Sequence, residues 1–123
     1  MGLSQKLRYG AHAMSAEQIL LSATVHGARA LGFAGELGAI AEGMRADLVL
    51  IDVDNPRLQP ILTGEKFCNV AANLVYAATG QDVTDVMIDG RWIVRNRALQ
   101  TADAHTIWQD LRVAARDMYE RIH

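Results

Sequence analysis

Several features that mark common classes of protein are scarce or missing in this chain of 123 residues. Cys68 is the single cysteine, so no disulfide can form within the chain, which is typical of the reducing cytoplasm. The formal net charge is −2 and no basic cluster occurs, which argues against a nucleic-acid-binding surface. No apolar run approaches the ~20 residues that span a bilayer, and the first residues lack the apolar centre of a secretory signal. We therefore expect a cytoplasmic protein that binds neither nucleic acid nor membrane.

Histidine is also sparse, and its spacing is unlike that of a metal-binding motif. The chain contains four histidines: His12, His26, His105 and His123. They never occur as H-x-H or H-x-x-x-H, so we interpret them as surface or structural residues. Cys68 follows Phe67 and is expected to be a small buried apolar residue rather than a nucleophile. The acidic stretch at residues 52–55 lacks the glycine and the later glutamate of a calcium-binding loop.

Two local patterns predict helices in the first two thirds of the chain. Ser15 and Gln18 form a capping-box pattern that opens a helix, and Gly32 is placed to end it. Residues 69–78 are rich in alanine and predict a short helix that ends at Gly80.

A hairpin is the strongest prediction in the second half. Residues 83–88 and 91–95 are two strands joined by Asp89-Gly90, a pair typical of two-residue hairpin turns. Such a turn places Met87 opposite Trp92, with Val94 on the same face. Both faces of this hairpin are mixed, so we expect it to be partly covered on both sides.

The last predicted element is an amphipathic helix that ends at Ile122 and is capped by Thr101 or Asp103. Its aromatic residues, Trp108 and Tyr119, are expected to belong to the core. The predicted apolar stripe consists of Ile107, Leu111, Ala114, Met118 and Ile122, widened by Trp108, Ala115 and Tyr119.

Residues 36–52, ELGAIAEGMRADLVLID, combine two patterns. Gly38 and Gly43 have a spacing that suits two sharp reversals of the backbone. Residues 46–51 then form an apolar run bounded by charges, which is typical of a buried strand.

The stretch 36–52 resembles the G-x-I-x-x-G-x-x-A-D-L-V-x-x-D signature of the amidohydrolase superfamily. Residues 16–32, AEQILLSATVHGARALG, resemble that superfamily's A-L-x-x-A-T-x-x-G-A-x-A-L-G helix, and the hairpin resembles its closing V-x-x-V-x-I-D-G-R-x-x-V motif. Residues 73–80, NLVYAATG, are similar to a feature of the branch that contains S-adenosylhomocysteine and methylthioadenosine deaminases and triazine hydrolases. The chain therefore resembles the cytosine-deaminase-like and triazine-hydrolase-like branch of the superfamily.

The resemblance implies an α+β chain that forms the C-terminal part of such an enzyme. Residues 1–35 would be the last helices outside a (β/α)8 barrel, residues 36–100 one half of a small β-sandwich, and residues 101–123 an amphipathic helix that packs back. In the superfamily the N-terminal residues add strands to the same sandwich. We therefore expect an open sheet edge, covered by self-association or by the missing barrel domain.

The resemblance also implies the chemistry of the parent enzyme, which would hydrolyse C–N or C–Cl bonds of heteroaromatic rings with a zinc- or iron-bound hydroxide. The sequence motifs that hold this metal do not occur here, so we assign no catalytic, substrate-binding or metal-ligating residue and expect the isolated chain to be inactive. The counterpart of Asp47 in the superfamily is structural and would accept hydrogen bonds from backbone amides at a turn. Two alternatives stay open: a standalone, non-enzymatic oligomerising or scaffold module, and one half of a split hydrolase.

Overall fold

A computed structural model describes residues 14–122 and shows a mixed arrangement of helices and small sheets. The first 13 residues of the predicted helical segment 1–35, among them His12, and the terminal His123 lie outside the described residues. Within residues 14–122 there are four α-helices: α1 (Ala16–Ala23), α2 (Val25–Ala30), α3 (Val70–Tyr76) and α4 (Ala104–Ile122). The same part of the chain has six strands: β1 (Leu48–Ile51), β2 (Thr63–Gly64), β3 (Phe67–Cys68), β4 (Val83–Ile88), β5 (Arg91–Arg95) and β6 (Ala98–Leu99).

The capping box predicted at the start of α1 is present. The backbone N–H of Gln18 donates to Ser15 Oγ at 3.2 Å, and the N–H of Ser15 donates to Gln18 Oε1 at 2.8 Å. Both otherwise unpaired amides at the N-terminus of the helix are thereby satisfied.

The single helix predicted after this cap is divided into α1 and α2 by Thr24. This residue has φ −117° and ψ −96°, and its hydroxyl donates to the carbonyl of Leu20 at 2.8 Å. A hydroxyl bonded to the carbonyl four residues earlier is known to bend helices. Helix α2 then ends just before Gly32, as predicted, and Gly32 has φ +86°.

The loop after α2 approaches the break between the two helices very closely at Gly38. Gly38 and Gly43 have φ of +96° and +84°, which confirms the two predicted reversals. A Cβ atom on Gly38 would lie 2.8 Å from Cα of Val25 and 2.9 Å from the carbonyl carbon of Thr24. Only glycine lets the backbone of this loop pack against the helix break.

Four strands form an antiparallel sheet in the order β1-β4-β5-β6, and β2 and β3 form a separate two-stranded ribbon. The ribbon and β6 are very short and were not predicted. Helices pack on helices and strands on strands, whereas no helix of residues 14–122 packs closely on a strand. The β-sandwich and the proposed domain boundaries stay predictions.

The hairpin of β4 and β5 has the predicted strand limits and the predicted pair of Met87 with Trp92. Its register shifts after that pair, so that Val86 lies opposite Val94 and Ile93 is an extra residue in a β-bulge. The prediction that Val94 shares a face with Met87 is therefore wrong. The bulge moves Val94 to the other face.

One face of the sheet carries an apolar residue from each of its four strands in a continuous row. Val49 pairs with Val86, Val86 with Val94, and Val94 with Leu99. Val49 at one edge is 59% exposed and Leu99 at the other is 38% exposed. The prediction that β1 is a buried strand is thus wrong for Val49 and also for Leu50, because β1 is an edge strand that no described element covers.

The loop between β1 and α3 is held by asparagine side chains. Asn69 accepts the N–H of Leu62 and donates to the carbonyl of Pro60, both at 2.8 Å. Asn73, inside the predicted short helix α3, donates to the carbonyl of Leu58 at 2.7 Å. Leu58 is fully buried. Asn69 and Asn73 thus hold the backbone of this loop in a position where the side chain of Leu58 is buried.

Helix α4 begins after Asp103, which resolves the choice between the two predicted caps. The carboxylate of Asp103 accepts the backbone N–H of His105 at 2.9 Å and the hydroxyl of Thr106 at 2.7 Å. The prediction that Trp108 and Tyr119 belong to a core is wrong, because they are 60% and 64% exposed. No other described element covers the helix.

Candidate functional site

The most completely bonded polar group in the described chain is the carboxylate of Asp82, which is 5% exposed. Its Oδ2 accepts the backbone N–H of Thr79 at 2.7 Å and the Thr79 hydroxyl at 3.0 Å. Its Oδ1 accepts Nη2 of Arg57 at 2.6 Å and Nδ2 of Asn55 at 3.3 Å. The turn at Gly80–Asp82 is thereby tied to the loop that follows β1.

This bonding lowers the pKa of Asp82, chiefly through the backbone amide of Thr79. The Thr79 hydroxyl and the charge of Arg57 act in the same direction, and desolvation opposes them. A carboxylate held ionised by four internal donors has a structural role and is poorly suited to proton transfer near neutral pH. Asp82 was not predicted as a site residue, although Thr79 and Asp82 have the three-residue spacing of a capping pair, a signal that is visible in the sequence.

A second carboxylate, Asp52, is engaged in the same neighbourhood. It accepts the N–H of Asp54 at 3.0 Å and Nη2 of Arg97 at 3.2 Å, and both bonds lower its pKa. Its own N–H donates to the carbonyl of Asp82 at 2.7 Å. The acidic stretch at 52–55 is thus occupied by partners within the chain rather than arranged around a cation.

At the opposite end of the sheet, Asp47 accepts the backbone N–H of Asp89 at 2.6 Å. The expectation that Asp47 binds a backbone amide at a turn is confirmed. Two further contacts hold the same turn: Arg45 Nε lies 3.2 Å from the Asp89 carboxylate, and Gly90 donates its N–H to the carbonyl of Ala46. The residues before β1 therefore clamp the tip of the hairpin.

The remaining candidate donors do not converge. His26 lies on α2, and His105 lies in the first turn of α4. Among residues 14–122 no group of three or more His, Cys, Asp or Glu side chains is placed to hold a metal ion. The donors in this part of the chain therefore do not fit a zinc or iron centre.

The prediction that Cys68 is buried is wrong. Cys68 lies exposed in β3, beside Phe67, which is 62% exposed. The two-stranded ribbon that holds them has no described element above it. No helix between residues 14 and 122 combines the length and the apolar character that crossing a bilayer requires.

The sequence and the fold together define the family. The sequence model of the amidohydrolase family matches residues 1–93. The chain therefore belongs to the amidohydrolase family, and the resemblance inferred from residues 36–52 is confirmed.

The curated relatives place the chain near enzymes that deaminate adenosine derivatives. A 5-methylthioadenosine/S-adenosylhomocysteine deaminase of Acetivibrio thermocellus is 40% identical over 111 residues, which is 87% of this chain and 24% of that protein. A 5'-deoxyadenosine deaminase of Methanosarcina mazei is 32% identical over 111 residues, or 90% of this chain and 24% of that protein. The chain thus spans about a quarter of the length of the curated relatives it matches.

Solved structures show the same relationship. A zinc-bound adenosine deaminase from Xanthomonas campestris matches 98% of this chain with a TM-score of 0.77 and 35% identity, over 25% of its own chain. A zinc-bound atrazine chlorohydrolase from Arthrobacter aurescens matches 81% of this chain with a TM-score of 0.67. At 24% identity, the latter supports the shared fold alone.

Proposed function

We propose that this chain is the C-terminal part of a metal-dependent amidohydrolase that hydrolyses a C–N bond on a heteroaromatic ring, with an adenosine-type nucleoside as substrate. Its own role is to complete the fold around an active site that other residues form. The deaminase relatives favour C–N over C–Cl hydrolysis. In such enzymes a bound zinc ion would supply an activated water, and residues 14–122 of this chain contain no group of three or more side chains placed to hold that ion.

A single observation carries this proposal: the chain matches a quarter of a zinc-bound adenosine deaminase along nearly its whole length, yet leaves both ends of the apolar row Val49-Val86-Val94-Leu99 exposed. An antiparallel sheet with an apolar face is stable in water when that face packs against another layer. The remaining three quarters of the fold would supply such a layer. A missing barrel domain is therefore the partner we propose for the sheet.

The test is reconstitution. The three quarters of the Xanthomonas campestris adenosine deaminase that do not match this chain would be produced separately, loaded with zinc and mixed or co-expressed with the full chain. We expect neither part alone to release ammonia from adenosine or 5′-methylthioadenosine. We expect the mixture to co-purify and to regain deamination.

Two variants test whether the sheet forms the contact. Val49→Glu places a charge in the apolar row and should abolish co-purification. Val113→Glu is the matched control, because Val113 on α4 is 61% exposed compared with 59% for Val49 and lies away from the sheet. Circular dichroism would establish that both variants are folded.

Three outcomes would overturn the proposal. One equivalent of tightly bound metal with turnover by the chain alone would place an active site within it. A folded chain that never co-purifies with the remaining enzyme would favour the standalone module. Co-purification that survives Val49→Glu would remove the sheet face from the contact.

A further inference from the structure

Helix α4 presents an apolar face that is exposed along its whole length. The side chains of this face are between 51% and 70% exposed. At about 1.5 Å per residue the helix is roughly 28 Å long, enough to form a continuous contact with another helix. The exposed residues of this face are Ile107, Trp108, Leu111, Met118, Tyr119 and Ile122.

Charges flank the apolar face asymmetrically. On a helix with about 3.6 residues per turn, Asp110 and Asp117 lie along one side of the face. His105, Arg112 and Arg116 follow its other side. The exception is Arg121, which lies on the acidic side. It is in the last turn, where a positive charge interacts favourably with the helix dipole.

This arrangement selects one geometry of self-association. When two copies are related by a two-fold axis parallel to their helices, the acidic side of each helix faces the basic side of the other. When the axis is perpendicular and the helices run antiparallel, sides of the same charge face each other, so that Asp110 approaches Asp117 and Arg112 approaches Arg116 of the other copy. Opposite charges across an interface favour the first arrangement, and like charges disfavour the second.

We propose that α4 pairs in parallel, and in register, with α4 of a second copy of this chain. Leu111 and Met118 would lie at the centre of the contact, with Ile107 and Trp108 beside them. Ala114 and Ala115 provide small side chains where the two backbones approach. Aromatic residues are enriched at such interfaces. This pairing goes beyond the proposed enzymatic role, and it uses α4 rather than the sheet face that would meet the barrel.

Hydrodynamic mass tests the pairing in the full chain. We expect Leu111→Glu to halve the mass measured by sedimentation at micromolar concentration. Val113→Glu, on the opposite side of the helix, should leave the mass unchanged. Circular dichroism of both variants would show that α4 still forms.

A charge-exchange series tests the flanks. Arg112→Asp places an aspartate opposite Asp110 of the other copy on both flanks and should raise the dissociation constant about tenfold, because two attractive pairs become repulsive. The double variant Asp110→Arg with Arg112→Asp should restore the affinity of the wild-type chain. Residues two apart on a helix do not face each other, so such rescue reports a contact between copies.

Cross-linking tests the direction. In a Cys68→Ser background, Ala104→Cys should form a disulfide with itself on mild oxidation, because parallel pairing brings the two N-terminal ends together. A mixture of the Ala104→Cys and Ile122→Cys chains should give no mixed disulfide, because in parallel pairing these positions are roughly 27 Å apart along the axis.

Four results would overturn the proposal. The chain could sediment as a monomer at every concentration, or as an oligomer whose mass is unchanged by Leu111→Glu. The double charge exchange could fail to restore the affinity, or the Ala104→Cys and Ile122→Cys chains could form a mixed disulfide. The first would leave the face of α4 to the remainder of the enzyme. The second would place self-association on the sheet. The last would establish antiparallel helices.

Discussion

The segment from Asp52 to Asp82 and the helix α4 differ in how far their side chains are buried and hydrogen-bonded within the chain. In the segment, the side chain of Leu58 is fully buried and the carboxylate of Asp82 is bonded on both oxygens, so one apolar and one polar group are each satisfied within the chain, although Phe67 on the ribbon stays exposed. In α4, Asp103 satisfies the backbone at the first turn, while the apolar side chains stay exposed.

The difference separates two kinds of order. Backbone hydrogen bonds and caps are local, and this chain completes them by itself. Burial of apolar surface needs a second layer, and no described element supplies that layer for α4 or for the sheet. The segment is thus the part of the chain whose stability should respond most strongly to substitution.

The largest effect is expected from the same substitution made in each region. Leu58→Ala removes a fully buried side chain and should lower the free energy of unfolding by about 2–5 kcal/mol. Leu111→Ala, at a position 57% exposed, should change it by less than about 0.5 kcal/mol. Urea denaturation at concentrations that keep the chain monomeric would measure both values. Equal losses would show that α4 packs against its own chain and would break the comparison.

A smaller effect should separate two glycines of one loop. Gly38→Ala and Gly43→Ala each place a side chain at positive φ, which costs about 1–2 kcal/mol. Gly38→Ala also forces a Cβ to within 2.9 Å of the backbone of α2 and its junction, which should add about 1–3 kcal/mol. Gly43→Ala meets no atom within 4 Å and serves as the control. Identical unfolding energies for the two variants would contradict the close approach at the helix break.

The smallest effect concerns pH and the carboxylate of Asp82. Its folded-state pKa lies below the ordinary value of 3.8, so the folded chain stabilises the ionised carboxylate relative to the protonated one. The resulting stability is fully present above about pH 4 and is lost as the pH falls through the folded-state pKa. The melting temperature of Asp82→Asn should therefore be lower than that of the wild-type chain at pH 7, and the two should converge in acid.

Differential scanning calorimetry across this pH range would follow both chains. Asp54→Asn, a substitution of the same kind at an exposed position, is the control. The difference between its melting temperature and that of the wild-type chain should be the same at every pH. If the melting temperature of Asp82→Asn also differs from that of the wild-type chain by the same amount at every pH, the hydrogen bonds of Asp82 contribute no pH-dependent stability.

Patterns that depend on a few neighbouring residues were predictable from the sequence. The Asp89-Gly90 turn predicted both strands of its hairpin to the residue, and Ser15 with Gln18 predicted the start of α1. The close match of residues 36–52 to a family signature predicted the family. These features depend on local backbone preferences or on a shared motif, and neither requires knowledge of what packs above them.

Features that depend on distant residues were not predictable. The apolar run of β1 is typical of a buried strand, yet burial depends on a covering layer that the described chain does not contain. The bulge at Ile93 leaves no pattern in sequence, so the face of Val94 was assigned wrongly. The partners of Asp82 come from residues up to 27 positions away, and only its spacing from Thr79 was visible.

The clamp at the hairpin tip also affects how this end of the sheet moves. The amide protons at the tip of an ordinary hairpin turn face water and exchange with it readily. Here the amide of Asp89 donates to Asp47 and that of Gly90 donates to the carbonyl of Ala46, so both protons are held by residues more than forty positions earlier in the chain. Hydrogen exchange at this turn therefore requires the chain before β1 to detach, which links the slowest protons of the hairpin tip to opening of the family signature segment itself.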